Sequence, residues 1–124
     1  MLGHADLVRK NNAGDSLFPE DDDFYLDQII ILAGLMAEAG VPAELNTGGM
    51  IQGLINDCYP SLDLLTLFRE NGIPIVINAD AHRAQDLDGY YDAAQKTALS
   101  AGYTESLIFK GRKDGKAVWE AEKL

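Results

Sequence analysis

The stretch that decides the fold is residues 73–82, which read Ile-Pro-Ile-Val-Ile-Asn-Ala-Asp-Ala-His. A short apolar run rich in β-branched residues that ends abruptly in polar groups is typical of a buried strand running out into a loop. Residues 1–6 and 42–47 have the same form. We therefore predict three strands, each of which carries polar side chains at its carboxyl end.

Helical segments separate these strands. We predict a helix from about Phe24 to Ala39, because the acidic residues 21–23 suit its amino end and Gly-Val-Pro at 40–42 stops it. A second helix opens at residues 60–61 and closes at 71–72, and a third runs from about Asp88 to Ala101. The apolar faces expected in the core are Ile29, Leu32, Leu35 and Met36 of the first helix, and Leu64, Leu65, Leu67 and Phe68 of the second.

The end of the chain has a different pattern. Residues 106–110 and 116–120 flank Asp114-Gly115, which is a strong signal for a hairpin turn. Alternation of strands and helices favours a parallel sheet with right-handed crossovers. The predicted fold class is α/β, with about three parallel βα units and a C-terminal β-hairpin in one domain over residues 1–124.

Composition excludes several classes of partner. The net charge is −10 with only 10 Lys and Arg, so we expect no nucleic acid partner. The longest apolar run, residues 29–37, is too short to cross a bilayer, and no signal-peptide pattern is present. We therefore expect no membrane partner and a cytoplasmic location. The single Cys58 cannot form an intrachain disulfide, and we interpret it as a packed or loop cysteine.

The chain has only 2 histidines, and each lies two residues from an aspartate at a predicted strand end: His4 with Asp6, and His82 with Asp80. Imidazole nitrogen and carboxylate oxygen are ligands suited to zinc, iron or manganese. In parallel α/β folds the carboxyl ends of the strands meet on one face. Either histidine alone is more often a surface or hydrogen-bonded core residue. The two pairs together make a divalent transition metal site an equal alternative to that interpretation.

Four motifs occur in order: Gly-His-Ala-Asp-Leu at 3–7, Glu-Leu-Asn-Thr-Gly-Gly at 44–49, Tyr-Pro-Ser at 59–61 and Asp-Ala-His-Arg at 80–83. In order and spacing they resemble the C-terminal motifs of PHP-family histidinol-phosphatases, over nearly the whole chain. The resemblance implies the C-terminal part of a distorted (β/α)7 PHP barrel around a trinuclear metal centre. It also implies hydrolysis of a small phosphomonoester such as histidinol phosphate.

The resemblance assigns roles position by position. The residues that match the family's metal ligands are His4, Asp80 and His82. The substrate-binding candidates are Glu44 and Asn46 on the middle strand, and the basic residues Arg9, Lys10 and Arg83, which could clamp a phosphate. For the three basic residues a solvated surface charge is an equal alternative. Asp6 is expected to orient His4 or to cap the following turn.

This sequence also departs from the family's pattern. The first motifs of the family, a paired His-x-His followed by further His and Glu ligands, would precede residue 1, and Ala79 stands where the family has Ser. We therefore expect a truncated phosphatase that has no appreciable activity alone. The rival interpretation is a non-catalytic remnant that serves as an oligomerising or metal-binding module. Another PHP-type hydrolase or a polymerase-associated domain is a weaker alternative, so whether the chain is an enzyme stays open here.

A partner chain is also predicted. Three parallel strands from an interrupted barrel would have open edges, which invite pairing with another chain. They would also leave the apolar side chains of Leu2, Leu45, Ile75 and Ile77 without the opposing half of a core. We therefore expect a homo-oligomer or association with a missing N-terminal half.

Overall fold

Two short parallel strands lie at the centre of the molecule, β1 (Ala43–Asn46) and β2 (Ile75–Asn78). The computed structural model describes residues 1–124 and pairs these strands in one register, from Ala43 opposite Ile75 to Asn46 opposite Asn78. On the other edge of β1, Leu2 forms a single parallel bridge with Ala43. The predicted first strand is therefore reduced to one bridged residue, and the sheet has two full strands instead of three.

The chain forms four α-helices: α1 (Asp23–Ala39), α2 (Gly48–Ile51), α3 (Leu62–Glu70) and α4 (Tyr91–Ser100). The short helix α2 was not predicted. The Asp22 side chain accepts the Phe24 N–H at 2.9 Å to cap α1, and Gly40 ends this helix at φ 61°. The first two predicted helices are confirmed as α1 and α3. The third begins three residues later than predicted, because Tyr90 has φ 58° and interrupts the helix.

The chain ends in an antiparallel hairpin of β3 (Glu105–Lys113) and β4 (Lys116–Lys123). Asp114 and Gly115 form the turn with φ values of 51° and 77°, the left-handed conformations that a two-residue hairpin turn requires. The hairpin is confirmed, and it is longer than predicted at both ends. It forms a sheet separate from β1 and β2. The architecture is a mixed α/β fold compatible with part of a larger α/β domain.

Helices α1, α3 and α4 pack together, and α4 also contacts both parallel strands. The largest fully buried side chains come from α3 and the two strands, namely Phe68, Leu64, Leu65, Leu45 and Ile75. The premise that Leu45 and Ile75 lack an opposing core is therefore wrong, since the chain's own helices bury them. Cys58 is a packed cysteine as predicted, and burial raises the pKa of its thiol to about 11.

Helix α1 has apolar side chains on more than one face. Ala33 and Met36 are buried and Ile29 and Leu32 are partly buried, whereas Leu35 is 59% exposed. The prediction that Leu35 belongs to the core is wrong, because it lies two residues from Ala33 and so on the opposite side of the helix. A helix with apolar side chains on more than one face is usually packed against neighbours on more than one side. The predicted homo-oligomer stays a prediction. None of the helices combines the length and apolarity needed to cross a membrane.

Replacing Gly34 by alanine is expected to stabilise the chain by about 0.5–1 kcal/mol, because glycine in a helix interior is less favourable than alanine. Gly34 is exposed in α1, and a Cβ atom added there meets nothing within 4 Å. Urea unfolding gives the free energy of unfolding of the variant and of the wild type, and their difference is the effect. Gly40→Ala is the matched comparison, and it should destabilise the chain because Gly40 has φ 61°. Equal effects from the two substitutions would contradict this account of α1.

Candidate functional site

The polar residues that follow the strands meet on one side of the sheet. His4 follows the Leu2 bridge, Asn46 ends β1 and Asp80 lies just beyond β2. His4 Nε2 and Asp80 Oδ2 are 3.3 Å apart. Both residues have left-handed backbones, with φ 49° for His4 and 51° for Asp80. Such a conformation costs a residue other than glycine about 1–3 kcal/mol and is concentrated at ligand-binding sites.

Hydrogen bonds assign the proton position on the His4 ring. The Gly48 N–H donates to Asn46 Oδ1 at 2.7 Å, which turns the amide nitrogen of Asn46 toward His4 Nε2 at 3.0 Å. The amide nitrogen of Asn46 can only donate, so Nε2 accepts and the ring proton of neutral His4 lies on Nδ1. Nδ1 in turn lies 3.6 Å from Glu44 Oε2. The single lone pair of Nε2 therefore accepts the Asn46 amide N–H in this structure, and a metal at Nε2 would replace that hydrogen bond.

This arrangement brings together two electron-rich atoms, His4 Nε2 and Asp80 Oδ2. At this distance the two atoms repel each other unless a proton or a metal cation lies between them. An imidazole nitrogen with a carboxylate oxygen is the donor set that zinc, iron and manganese accept. The residues present therefore fit the metal that the motifs predict.

Glu44 supports His4 from behind. The Glu44 residue is 6% exposed. Its carboxylate accepts the Asn78 side-chain N–H at 2.8 Å and the His4 backbone N–H at 3.2 Å. A carboxylate on the far side of a ligating histidine fixes the ring's orientation and its proton position. Glu44 and Asn46, which were predicted to bind substrate, are thus both brought to the site, where each contacts His4.

His82 lies on the wall of the same cavity. Its Nδ1 is 2.8 Å from the Asp80 carbonyl oxygen, so Nδ1 carries the proton and Nε2 is the nitrogen that remains for a ligand. The His82 side chain is exposed. In this structure no three His, Cys, Asp or Glu side chains are close enough together to hold a metal ion. The set of His4, Asp80 and His82 as joint ligands stays a prediction.

Two adjoining cavities surround these side chains. One of about 260 Å³ is lined by His4, Asn46, Tyr59, Asp80 and His82, and Lys10 is the one basic side chain in its wall. The other, of about 290 Å³, shares Gln52, Asp80 and His82 with the first and adds Arg83 and Asp86. The guanidinium of Arg83 donates to Asp86 at 2.9 Å.

Arg9 lies elsewhere. Its guanidinium contacts three carboxylates, at 2.8 Å from Glu20, 3.3 Å from Asp6 and 3.8 Å from Asp57. It lines neither cavity that contains His82. Of the three basic residues proposed to clamp a phosphate, the structure therefore brings Lys10 and Arg83 to the site and engages Arg9 in the support of a neighbouring loop.

Sequence reasoning missed the contribution of Gly48. A Cβ atom at this position would lie 2.9 Å from Asp80 Cβ and 3.0 Å from Asn46 Oδ1. Glycine therefore allows α2 to pack directly against the His4–Asp80 pair. The signal in the sequence was the Gly-Gly pair after a strand, but that pair is equally typical of a turn.

Gly48→Ala is expected to lower the affinity for a divalent metal by about 10-fold, the lower end of the effect of disturbing residues around a ligand. The added methyl group must displace Asp80 or break the bond between the Gly48 N–H and Asn46. Competition with a chromophoric chelator gives the dissociation constant. Gly34→Ala is the control, since it adds the same methyl group where nothing is within 4 Å. Unchanged affinity in both variants would show that the contact with Asp80 is unimportant.

Fold and site together define a mixed α/β fold, compatible with part of a larger α/β domain, with a His/Asp cluster at the carboxyl ends of its parallel strands. No known protein-family profile matches the chain. Among curated proteins, the chain is similar to a protein of Deinococcus radiodurans named "Probable histidinol-phosphatase", with 29% identity over 112 residues. The match covers 90% of this chain and 39% of the relative, so the chain spans well under half of that protein's length. The similarity supports a relationship to a phosphatase and leaves the specific activity open.

Proposed function

We propose that the chain forms the metal- and phosphate-binding part of a phosphomonoesterase of the histidinol-phosphatase kind, within the C-terminal part of a PHP barrel. The observation that carries the proposal is the pairing of His4 Nε2 with Asp80 Oδ2 at 3.3 Å, because an imidazole nitrogen beside a carboxylate oxygen is a donor pair suited to a transition metal. The similarity to the Deinococcus radiodurans protein supports the phosphatase class.

In this proposal His4, Asp80 and His82 hold a divalent transition metal. Glu44 lies behind the His4 ring, and the metal replaces the Asn46 amide at Nε2. When bound, the metal supplies Lewis acidity toward a phosphoryl oxygen. Lys10 contributes a positive charge to the same cavity and binds the phosphate oxygens. Arg83 lies in the adjoining cavity, where it is placed to contact the rest of the ligand.

The proposed substrate is a small phosphomonoester, and histidinol phosphate is the candidate that the relative's name suggests. The two cavities of about 260 and 290 Å³ share Asp80 and His82, so a ligand larger than a phosphate ion can extend from one into the other. The second candidate function is a metal-binding module without catalysis.

Binding of inorganic phosphate to the manganese-loaded chain tests the proposal. Lys10→Ala is expected to weaken phosphate binding by about 10- to 100-fold, because a hydrogen bond to a charged group contributes about 1.5–3 kcal/mol. Isothermal titration calorimetry gives the affinity, and Lys113→Ala in the exposed hairpin is the charge-matched control. Equal phosphate affinity in the two variants would contradict the role of Lys10.

Release of phosphate from histidinol phosphate separates the two candidate functions. The chain alone is expected to bind metal and phosphate with no appreciable turnover, because it supplies only part of a ligand set. Turnover that requires both metal and His4 would show that the chain is an active phosphatase by itself. Binding of metal without any binding of phosphate would favour the metal-binding module instead.

A further inference from the structure

The segment that carries His4 is fixed at both of its ends. On one side the Leu2 backbone N–H donates to the Pro42 carbonyl at 2.9 Å, and the Leu2 carbonyl accepts the Glu44 N–H at 2.9 Å. On the other side Asp6 Oδ2 accepts the Ser61 N–H at 2.7 Å, a bond across 55 residues. Only residues 3–5 lie between these two anchors. Their path is therefore set by β1 at one end and by the start of α3 at the other.

Burial of the Asp6 carboxylate is unfavourable for folding, so packing alone does not explain this residue. It is 2% exposed, and burial raises the pKa of its carboxyl group. Its Oδ1 atom has no hydrogen-bond partner, while Oδ2 accepts from both Ser61 and Arg9, at 2.7 and 3.3 Å. A buried polar atom without a partner costs free energy of folding. The buried carboxylate provides a direct hydrogen bond between the His4 segment and Ser61.

The capping role considered for Asp6 from the sequence is wrong. Asp6 precedes a 3-10 helix at Leu7–Asn11, but its side chain makes no capping hydrogen bond to that helix. Its carboxylate points instead to a distant part of the chain. The orienting role, which was the other expectation, is the one compatible with the contacts.

We propose that Asp6 is a positioning residue that holds His4 in its left-handed conformation and so directs Nε2 toward Asp80 and Asn46. The inference extends the proposed function, since it concerns the same site. A residue such as His4 relaxes to negative φ by about 1–3 kcal/mol when nothing holds it in the left-handed region. The two anchors prevent that relaxation. Without Asp6 the ring would leave the position from which Nε2 contacts Asn46 at 3.0 Å.

The test is Asp6→Ala, which removes the oxygen that accepts the Ser61 N–H, with Asn12→Ala as the control. Asn12 is also 2% exposed and stabilises the neighbouring loop by accepting the Leu17 and Phe18 N–H groups at 3.0 Å. Both variants should lower the melting temperature. In the metal-free protein, the NMR cross-peak between the Asn46 side-chain amide protons and the His4 ring is expected to vanish in Asp6→Ala and persist in Asn12→Ala.

A second pair of variants removes the partner of Asp6 and leaves Asp6 itself in place. Ser61→Ala and Ser61→Pro both lose the hydroxyl that accepts the Leu64 N–H, but only proline also loses the N–H that binds Asp6. The cross-peak should therefore disappear in Ser61→Pro alone. This pair keeps the proposal testable if Asp6→Ala does not fold.

Metal affinity is the second readout, and it should fall about 10- to 100-fold in Asp6→Ala and Ser61→Pro. Cross-peaks that persist in both of these variants would overturn the positioning role. If the cross-peak is lost as expected while the wild-type chain binds no metal, the proposed function fails and the role of Asp6 stands.

Discussion

Replacing His4 by alanine is expected to lower the affinity of the chain for a divalent transition metal by at least about 100-fold. Loss of a residue that supports a ligand costs about 10- to 100-fold, and loss of the ligand itself should cost no less. The structure gives His4 the central position, since its Nε2 lies 3.3 Å from Asp80 Oδ2 and 3.0 Å from Asn46 Nδ2. Competition with a chromophoric chelator, using zinc or manganese and protein purified without an affinity tag, measures the change.

His82→Ala is the comparison for this prediction. It should lower metal affinity less than His4→Ala does, because the exposed His82 ring has fewer neighbours that hold it in place. Equal and near-zero metal content in the wild type and in His82→Ala would contradict the metal site as a whole. Equal, substantial metal content in the wild type and His4→Ala would show that the metal binds at other residues.

Phe68→Ala is expected to reduce the free energy of unfolding by about 3–5 kcal/mol, the usual cost of removing a buried aromatic ring. Phe68 is 0% exposed and lies in α3, the helix that also contributes Leu64 and Leu65 to the core. For a domain whose whole stability is about 5–15 kcal/mol, this loss leaves a much weakened fold. Urea unfolding followed by circular dichroism gives the value.

Phe24→Ala provides the matched control, because Phe24 is 74% exposed on α1. Its effect in the isolated chain should stay within about 0.5 kcal/mol, as is usual for surface positions. A loss comparable to that of Phe68→Ala would show that Phe24 is covered in solution. Such a result would support the predicted association of the chain with a partner, and sedimentation equilibrium would then identify a homo-oligomer.

Signals that lie within a few residues predicted the structure well. The acidic cap and Gly40 bound α1, Ser61 opens α3, and Asp114-Gly115 forms the hairpin turn. Signals that depend on pairing predicted it less well. Residues 1–6 have the composition of a strand, but only Leu2 pairs with β1. Strand composition describes a segment that fits a sheet, and the contacts that complete a strand come from the rest of the fold.

The same distinction applies to the site. The convergence of His4 and Asp80 follows from the rule that carboxyl ends of parallel strands share a face, and the sequence predicted it. The contacts of Arg9 with Glu20 and Asp57 join residues 11 and 48 positions apart, and no local pattern indicates them. The hydrogen bond from the Asn46 amide to His4 Nε2 joins residues 42 positions apart, so no local pattern indicates it either.

The measurement that tests the central claim most directly is an anomalous-scattering map of a crystal of the chain soaked in zinc. The account predicts a single strong peak at about 2.0–2.2 Å from His4 Nε2 and from a carboxylate oxygen of Asp80. Loss of that peak in crystals of His4→Ala completes the test. A map without a peak beside His4, or with the metal bound only at other side chains, would contradict the claim that His4 and Asp80 form a metal site.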